Sequence, residues 1–186
     1  MPLMDDDEAV TRALAGDLDA YEVLVTRYSA VAHRTASLLG AADEAEDVVQ
    51  EAFVKAFRHL KGFRRGSSFR PWLLRIVANA THDLTRSRGR RSDLAVRLGR
   101  EREPYGPGDP EDPEDAAVDA DGRTRLLESV RALPDGEREA VVCRYFLQLS
   151  EAETAEVLGV RLGTVKSRTF RALRRLREEV GREHLG

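Results

Sequence analysis

A stretch of acids and prolines near the middle of the chain limits what this sequence can fold into. Residues 101–115 hold four of the seven prolines, and nine acids but only one Arg lie between Glu101 and Asp121. Proline removes helix donors and like charges repel, so this stretch cannot contribute to a packed core. We therefore expect an acidic, flexible linker at 99–121, between an N-terminal domain at 1–98 and a C-terminal domain at 122–186.

Basic residues are concentrated on both sides of this linker. Ten Arg and only two acids lie between Arg64 and Arg100, and seven basic residues without an acid lie between Arg161 and Arg177. The formal net charge of −3 therefore hides two strongly cationic segments. Two such segments separated by an acidic one indicate two contacts with a polyanion such as nucleic acid.

Composition favours helices and argues against several classes of protein. Ala, Leu, Arg and Glu dominate the 186 residues and only 6% are aromatic, so we expect an all-α fold of two small helical domains. No apolar run approaches the roughly 20 residues that cross a bilayer, and the first residues are acidic, so a cytoplasmic protein is expected. Cys143 is the only cysteine and lies in an apolar stretch, which predicts a core residue and neither a disulfide nor a metal site.

The N-terminal domain begins with two predicted helices. Apolar residues at helical spacing indicate one helix from Ala20 to Leu38, and Asp43 with Glu46 resembles a capping box that opens the second. The second helix has an outer polar face that contains Asp47, Gln50 and Glu51. A solvated surface is the simplest interpretation of such a face.

A loop rich in Gly, Ser and Arg then leads into a third predicted helix with a polar outer face. Aromatic side chains in a loop can hold an unstacked base, Asn can hydrogen-bond a base edge, and Arg can follow phosphates. This combination suits single-stranded or distorted DNA, whereas the lone histidine by itself would be read as a surface residue. The candidate residues of the loop and helix are Phe63, Ser67, Phe69, Arg75, Asn79, His82 and Arg86.

The C-terminal domain contains a helix-turn-helix pattern. Ser150 and Glu153 form a capping box before a short helix, Gly159 supplies a tight turn, and a long basic helix follows. In this motif the second helix enters the major groove of DNA. A basic amphipathic helix can instead bind an acidic protein or a membrane surface, but the capped helix and the turn favour DNA. The residues predicted to contact DNA are Lys166, Ser167, Arg168, Arg171, Arg174 and Arg175.

These motifs together resemble bacterial sigma factors of the extracytoplasmic-function (ECF) type. One part of the resemblance lies in the N-terminal domain, in Asp47–Phe57 and Trp72–Asn79. The other part consists of Leu133-Pro134, Leu149-Ser150, Leu158-Gly159 and Gly163–Arg168. A helix-turn-helix alone is common, but both parts in this order across an acidic linker are specific.

The resemblance implies a protein without catalytic activity that binds core RNA polymerase and directs initiation at promoters. The helix with Asp47, Gln50 and Glu51 would dock on the polymerase clamp. The loop and the following helix would read and melt the minus-ten element, and the basic C-terminal helix would read the minus-thirty-five element as duplex. An anti-sigma partner is implied as well, with no cofactor and no membrane insertion, and the acidic linker would imitate nucleic acid near the RNA exit path.

Three other classes of protein are weighed against this interpretation. A self-sufficient regulator would use only the C-terminal motif and would bind a duplex operator as a dimer without polymerase. A decoy would occupy polymerase without initiating and would keep that activity after deletion of residues 123–186. An enzyme is disfavoured because the sequence shows no Ser-His-Asp set, nucleotide-binding Gly loop or metal-spaced cluster.

Overall fold

The computed structural model describes residues 4–64, 66–97 and 120–183, and every regular element in these ranges is helical. The all-α prediction is therefore confirmed. The linker proposed at 99–121 lies almost entirely outside the described residues, so its assignment remains a prediction. The α-helices are α1 (Asp6–Leu14), α2 (Leu18–Ala36), α3 (Ala45–His59), α4 (Phe69–Arg97), α5 (Ala120–Ala132), α6 (Asp135–Val141), α7 (Glu151–Leu158) and α8 (Leu162–Glu183).

The N-terminal unit is built from α1 to α4, of which α1 was not predicted from the sequence. Side chains cap the first two helices: Asp5 accepts from the Glu8 amide at 2.8 Å, and Asp17 accepts from the Ala20 amide at 3.1 Å. A side-chain oxygen at the N-cap satisfies a backbone donor that the helix itself leaves unpaired. The acidic N-terminal segment is thus part of the folded unit.

A sharp corner joins α2 to α3 where the sequence predicted a stop. Gly40 adopts φ 112°, a conformation that favours glycine because it has no Cβ. Arg88 of α4 donates to the carbonyl of Gly40 at 3.0 Å and so fixes this corner. The capping box predicted from Asp43 and Glu46 is wrong, because α3 begins after a 3-10 turn and has no side-chain cap.

The C-terminal unit contains the predicted helix-turn-helix. Ser150 and Glu153 form the capping box of α7, with the Ser150 amide donating to Glu153 Oε2 at 2.7 Å. Gly159 ends α7 in the left-handed conformation, with φ 63° and ψ 32°. This turn sends α8 off at a new angle, and Val165 and Ala172 seat it on the core with no exposed surface.

Helix α4 packs against both units. Leu73 and Val77 face the N-terminal core, while Leu74 and Ala78, one position further around the helix, belong to the core of the C-terminal unit. A step of one residue rotates a side chain by about 100°, so one helix serves two cores. Full burial of a Leu side chain is worth roughly 1.5–3 kcal/mol. Leu74, with no exposed surface, is therefore a principal contact between the units.

Candidate nucleic-acid interface

The outward side of α8 carries a continuous exposed stripe, here called the α8 face. It consists of Lys166, Ser167, Phe170 and Arg174, all exposed. Phe170 was not selected from the sequence, yet 67% of it is accessible to solvent, more than any other large apolar residue described as exposed. The four-residue steps from Lys166 through Phe170 to Arg174 could have identified it, because residues four apart share a helix face.

The other three arginines predicted on α8 point toward α6 and contact its carboxylates. Arg171 Nε lies 3.1 Å from Glu137 Oε1, and Arg175 Nε lies 2.9 Å from Glu137 Oε2. Arg168 Nη1 lies 3.4 Å from Glu139 Oε2. These arginines are therefore held in defined positions beside the α8 face, an arrangement that the sequence did not predict.

The predicted DNA-binding face of α4 is largely open. Arg75, Asn79 and Arg86 are exposed, and Arg86 makes a long contact of 4.0 Å with Asp83. His82 is half-buried, and its Nε2 lies 2.7 Å from Glu139 Oε1 without forming a regular hydrogen bond. These four residues, Arg75, Asn79, His82 and Arg86, are called the α4 face.

The two aromatic residues expected to hold a melted base are not available in this structure. Phe63 is 6% exposed and Phe69 is 1% exposed. They form an aromatic cluster with Trp72 and Tyr28, in which ring centroids lie 5.2–5.8 Å apart. Aromatic pairs at such separations stabilise one another beyond the area they bury. Ser67, between Phe63 and Phe69 in the sequence, is half-buried in a turn of the same loop.

A second polar contact joins the loop side of the N-terminal unit to the C-terminal unit. The side chain of Arg70 donates from Nη2 to the carbonyl of Leu147 at 2.7 Å. Together with the contact between His82 Nε2 and Glu139 Oε1, it adds polar contacts between the units to the apolar contact made by Leu74. The α4 face thus borders the unit that carries α8.

The predicted polymerase-binding residues lie together on the outer side of α3. Asp47, Gln50 and Glu51 are all exposed and form the α3 face. Val54 and Phe57 extend it as exposed apolar residues, 49% and 41% accessible. Edge-to-face packing of Phe57 on Tyr21 at 4.9 Å keeps that ring on the surface.

Other candidate chemistry is absent from the described part of the chain. Cys143 has no exposed surface, and burial raises its thiol pKa to about 12, as expected for a core residue. Within 4–64, 66–97 and 120–183, no group of His, Cys, Asp and Glu could hold a metal ion. No helix in the same ranges is long and apolar enough to cross a membrane.

Comparisons with known proteins match both units. The family model "Sigma-70 region 2" matches residues 24–91, and "Sigma-70, region 4" matches residues 123–176. The ECF RNA polymerase sigma-E factor of Escherichia coli K12 is 34% identical over 176 residues, which cover 91% of each chain. The sigma-E factor of Haemophilus influenzae is 32% identical and covers 91% of this chain and 92% of its own.

Solved structures give the same result. CnrH in complex with the cytosolic domain of CnrY is 28% identical, with a TM-score of 0.70 over 95% of this chain and 97% of CnrH. RpoE in complex with the anti-sigma factor NepR, from Bartonella quintana, is 25% identical, with a TM-score of 0.71 over 87% of this chain and 96% of RpoE. The chain therefore belongs to the sigma-70 family of transcription initiation factors and is of the ECF type.

Membership in this family confirms the function that the resemblance to sigma factors implies. The protein binds core RNA polymerase and promoter DNA and directs promoter-specific initiation.

Proposed function

We propose that the two units divide promoter recognition between a melted strand and a duplex. The α8 face, with Arg168, Arg171 and Arg175 beside it, reads the minus-thirty-five element in the major groove. The α4 face and Ser67 bind the melted strand of the minus-ten element. The α3 face docks on the polymerase clamp, where Val54 and Phe57 add an apolar contact to the three polar residues.

The exposed stripe on α8 is the observation that carries this proposal. It follows a capped helix and a left-handed glycine turn, the arrangement in which the second helix of the motif enters the major groove. Its Lys and Arg suit phosphate and guanine contacts, and Phe170 offers an apolar surface for a thymine methyl group.

The packed arrangement of the two units supports an opening step on polymerase. Elements about 25 base pairs apart are separated by roughly 85 Å of duplex, at about 3.4 Å per base pair. Each unit is expected to have a radius of gyration of roughly 11–12 Å, so two units in contact cannot span that distance. The contacts made by Leu74, Arg70 and His82 therefore belong to the form of the protein that is not engaged on a promoter.

The remaining predictions fit this division of labour. Polymerisation chemistry stays with the core enzyme, and this chain contributes contacts and no catalytic group. It acts in the cytoplasm, where polymerase and promoters are found. The acidic linker at 99–121 would lie near the RNA exit path and imitate nucleic acid until the transcript displaces it. Replacement of its acids by Ser should then alter promoter escape, whereas unchanged initiation and escape would contradict this role.

An anti-sigma partner is part of the proposal. CnrH and the Bartonella quintana RpoE were each solved in a complex, with CnrY and with the anti-sigma factor NepR respectively. This chain resembles both over most of its length, and the resemblance includes the two units together. We infer that a partner of this kind binds the packed arrangement and keeps it from opening.

Run-off transcription tests the proposal directly. Purified core polymerase would be supplied with a library of genomic fragments, with and without the full chain. We expect discrete transcripts that depend on the chain, and their start sites would define both promoter elements. A stable complex without transcripts would favour a decoy, and the absence of any complex would favour a self-sufficient regulator.

A further inference from the structure

Glu137 is the one charged residue that is buried in the described part of the protein. It lies in the first turn of α6, and only 9% of its side chain is exposed. Its two oxygens accept from two different arginines of α8, Arg171 at 3.1 Å and Arg175 at 2.9 Å. A buried carboxylate is costly unless it is paired and hydrogen-bonded, and here both oxygens are satisfied.

The atoms involved show what this pairing leaves available. In both contacts the arginine uses its Nε–H, which is one of the five donors of a guanidinium group. The terminal Nη groups are not needed for these bonds to Glu137. Arg171 and Arg175 are also 49% and 53% exposed, so their outer ends are open to solvent. Glu137 thus holds the inner edge of each guanidinium and leaves its outer edge for a ligand.

We propose that Glu137 is a specificity-determining positioning residue for the minus-thirty-five contact. It contacts no DNA itself, but it fixes Arg171 and Arg175 beside the α8 face so that their Nη groups meet the duplex in one geometry. This inference rests on the proposed role of α8 in reading the duplex.

Two physical effects follow from this position. The first is order: a flexible side chain loses conformational freedom when it is immobilised at an interface, and two arginines held in advance lose less. The second is charge: a carboxylate beside two guanidinium groups reduces their attraction to phosphates of any sequence. Binding to any sequence depends chiefly on phosphate contacts, so Glu137 lowers it while it favours the correct site.

The test compares two substitutions that remove the same charge from the same unit. Glu137→Gln leaves the side-chain shape but removes the charge between the arginines. Glu156→Gln is the matched control, because Glu156 is exposed on α7. Each holoenzyme would be titrated with a promoter fragment mapped by run-off transcription and with a fragment whose minus-thirty-five element is scrambled, at several salt concentrations.

For Glu137→Gln we expect the ratio of the two affinities to fall on the order of tenfold, since two arginines lose their fixed geometry. Affinity for the scrambled fragment should rise, with a salt dependence steeper by roughly 0.9 for each added phosphate contact. Glu156→Gln should leave the ratio at the wild-type value. The inference would be overturned if the wild-type holoenzyme preferred the promoter fragment and Glu137→Gln had the same ratio of affinities. Absence of discrimination in the wild-type holoenzyme would instead contradict the proposed role of α8.

Glu137→Asp separates positioning from charge. The carboxylate remains, but it is one methylene shorter and cannot hold both arginines at their present distances. We expect it to lose discrimination while its affinity for the scrambled fragment stays near the wild-type value. If Glu137→Asp kept full discrimination, charge alone would act and positioning would be excluded. Thermal unfolding of each variant shows whether the unit is still folded, and a simple loss of folding would weaken binding to both fragments equally.

Discussion

The basic surfaces of α4 and α8 are built differently. On α8, three arginines are tied to carboxylates of α6, and Glu137 alone holds two of them. On α4, Arg75 and Asn79 are exposed, and among the described residues no carboxylate is bound to either. The difference fits the two ligands proposed for these surfaces. A duplex has a regular shape that fixed side chains can match, whereas a melted strand must be followed by side chains that adapt.

The largest effect is expected when two residues of the α4 face are replaced. The double variant Arg75→Ala, Asn79→Ala should reduce holoenzyme affinity for a single-stranded minus-ten oligonucleotide by about a hundredfold, since each base-edge contact is worth roughly 1–3 kcal/mol. Fluorescence anisotropy measures this directly. Arg12→Ala removes an exposed cation of the same unit on α1 and serves as the control. Equal losses in both variants would show that general charge, and not the α4 face, binds the strand.

A smaller effect is expected from Phe170→Ala on the α8 face. Loss of its apolar contact should lower affinity for the promoter duplex about tenfold without changing the salt dependence, because no phosphate contact is lost. Lys166→Ala is the companion variant, and it should reduce the salt slope by about one. Phe170 is exposed, so the thermal stability of the protein should stay the same. A salt slope altered by Phe170→Ala would contradict the assignment.

Gly136→Ala separates stability from recognition. An added Cβ would lie 2.7 Å from Cζ of Arg168, so that guanidinium group must move. Alanine within a helix stabilises by roughly 0.5–1 kcal/mol relative to glycine, so the melting temperature should rise or hold. Discrimination at the minus-thirty-five element should fall a few-fold, as measured by competition with scrambled duplex. Unchanged discrimination would mean that the position of Arg168 is unimportant.

The smallest effect concerns the capped helix that precedes α8. Hydrogen bonds from Ser150 hold the pKa of Glu153 below its ordinary value of 4.5. Because the pKa of Glu153 is lower in the folded protein than in the unfolded chain, its stabilisation is complete above the pKa of the unfolded chain. That stabilisation is lost as the pH falls through the pKa of the folded protein. Thermal melts of the full chain should therefore decline below about pH 4.5, and Glu153→Gln should flatten part of that decline. An identical pH profile in both proteins would show that the cap has no energetic role.

The success of the sequence analysis depended on how local each feature is. The capping box of Ser150 and Glu153 and the turn at Gly159 depend on neighbours within a few residues, and both were predicted, although the equally local capping box of Asp43 and Glu46 did not form. Phe63 and Phe69 were expected at the surface of a loop, but Trp72 and Tyr28 bury them. A loop pattern does not reveal that four aromatic residues will meet in the tertiary fold.

The role of Glu137 could not be predicted from the sequence. Its arginine partners are 34 and 38 residues away, and no spacing rule links them. The contribution of Leu74 to the core of the C-terminal unit was not predicted either. Leu73 beside it already completes the apolar stripe of α4, so no sequence pattern indicated that Leu74 packs against a second core. Phe170 is a different case, since its four-residue spacing from Lys166 and Arg174 places it on their side of the helix, but it was not selected.

The most direct test of the central claim uses promoters mapped by run-off transcription and the same promoters with a mismatched, pre-melted minus-ten region. Initiation would be measured for the Arg75→Ala, Asn79→Ala variant and for the Lys166→Ala, Phe170→Ala variant on both templates. We predict that pre-melting restores much of the activity of the first variant, because strand separation no longer depends on the α4 face, and does not restore the second. Equal rescue of both variants, or of neither, would contradict the division between melted strand and duplex.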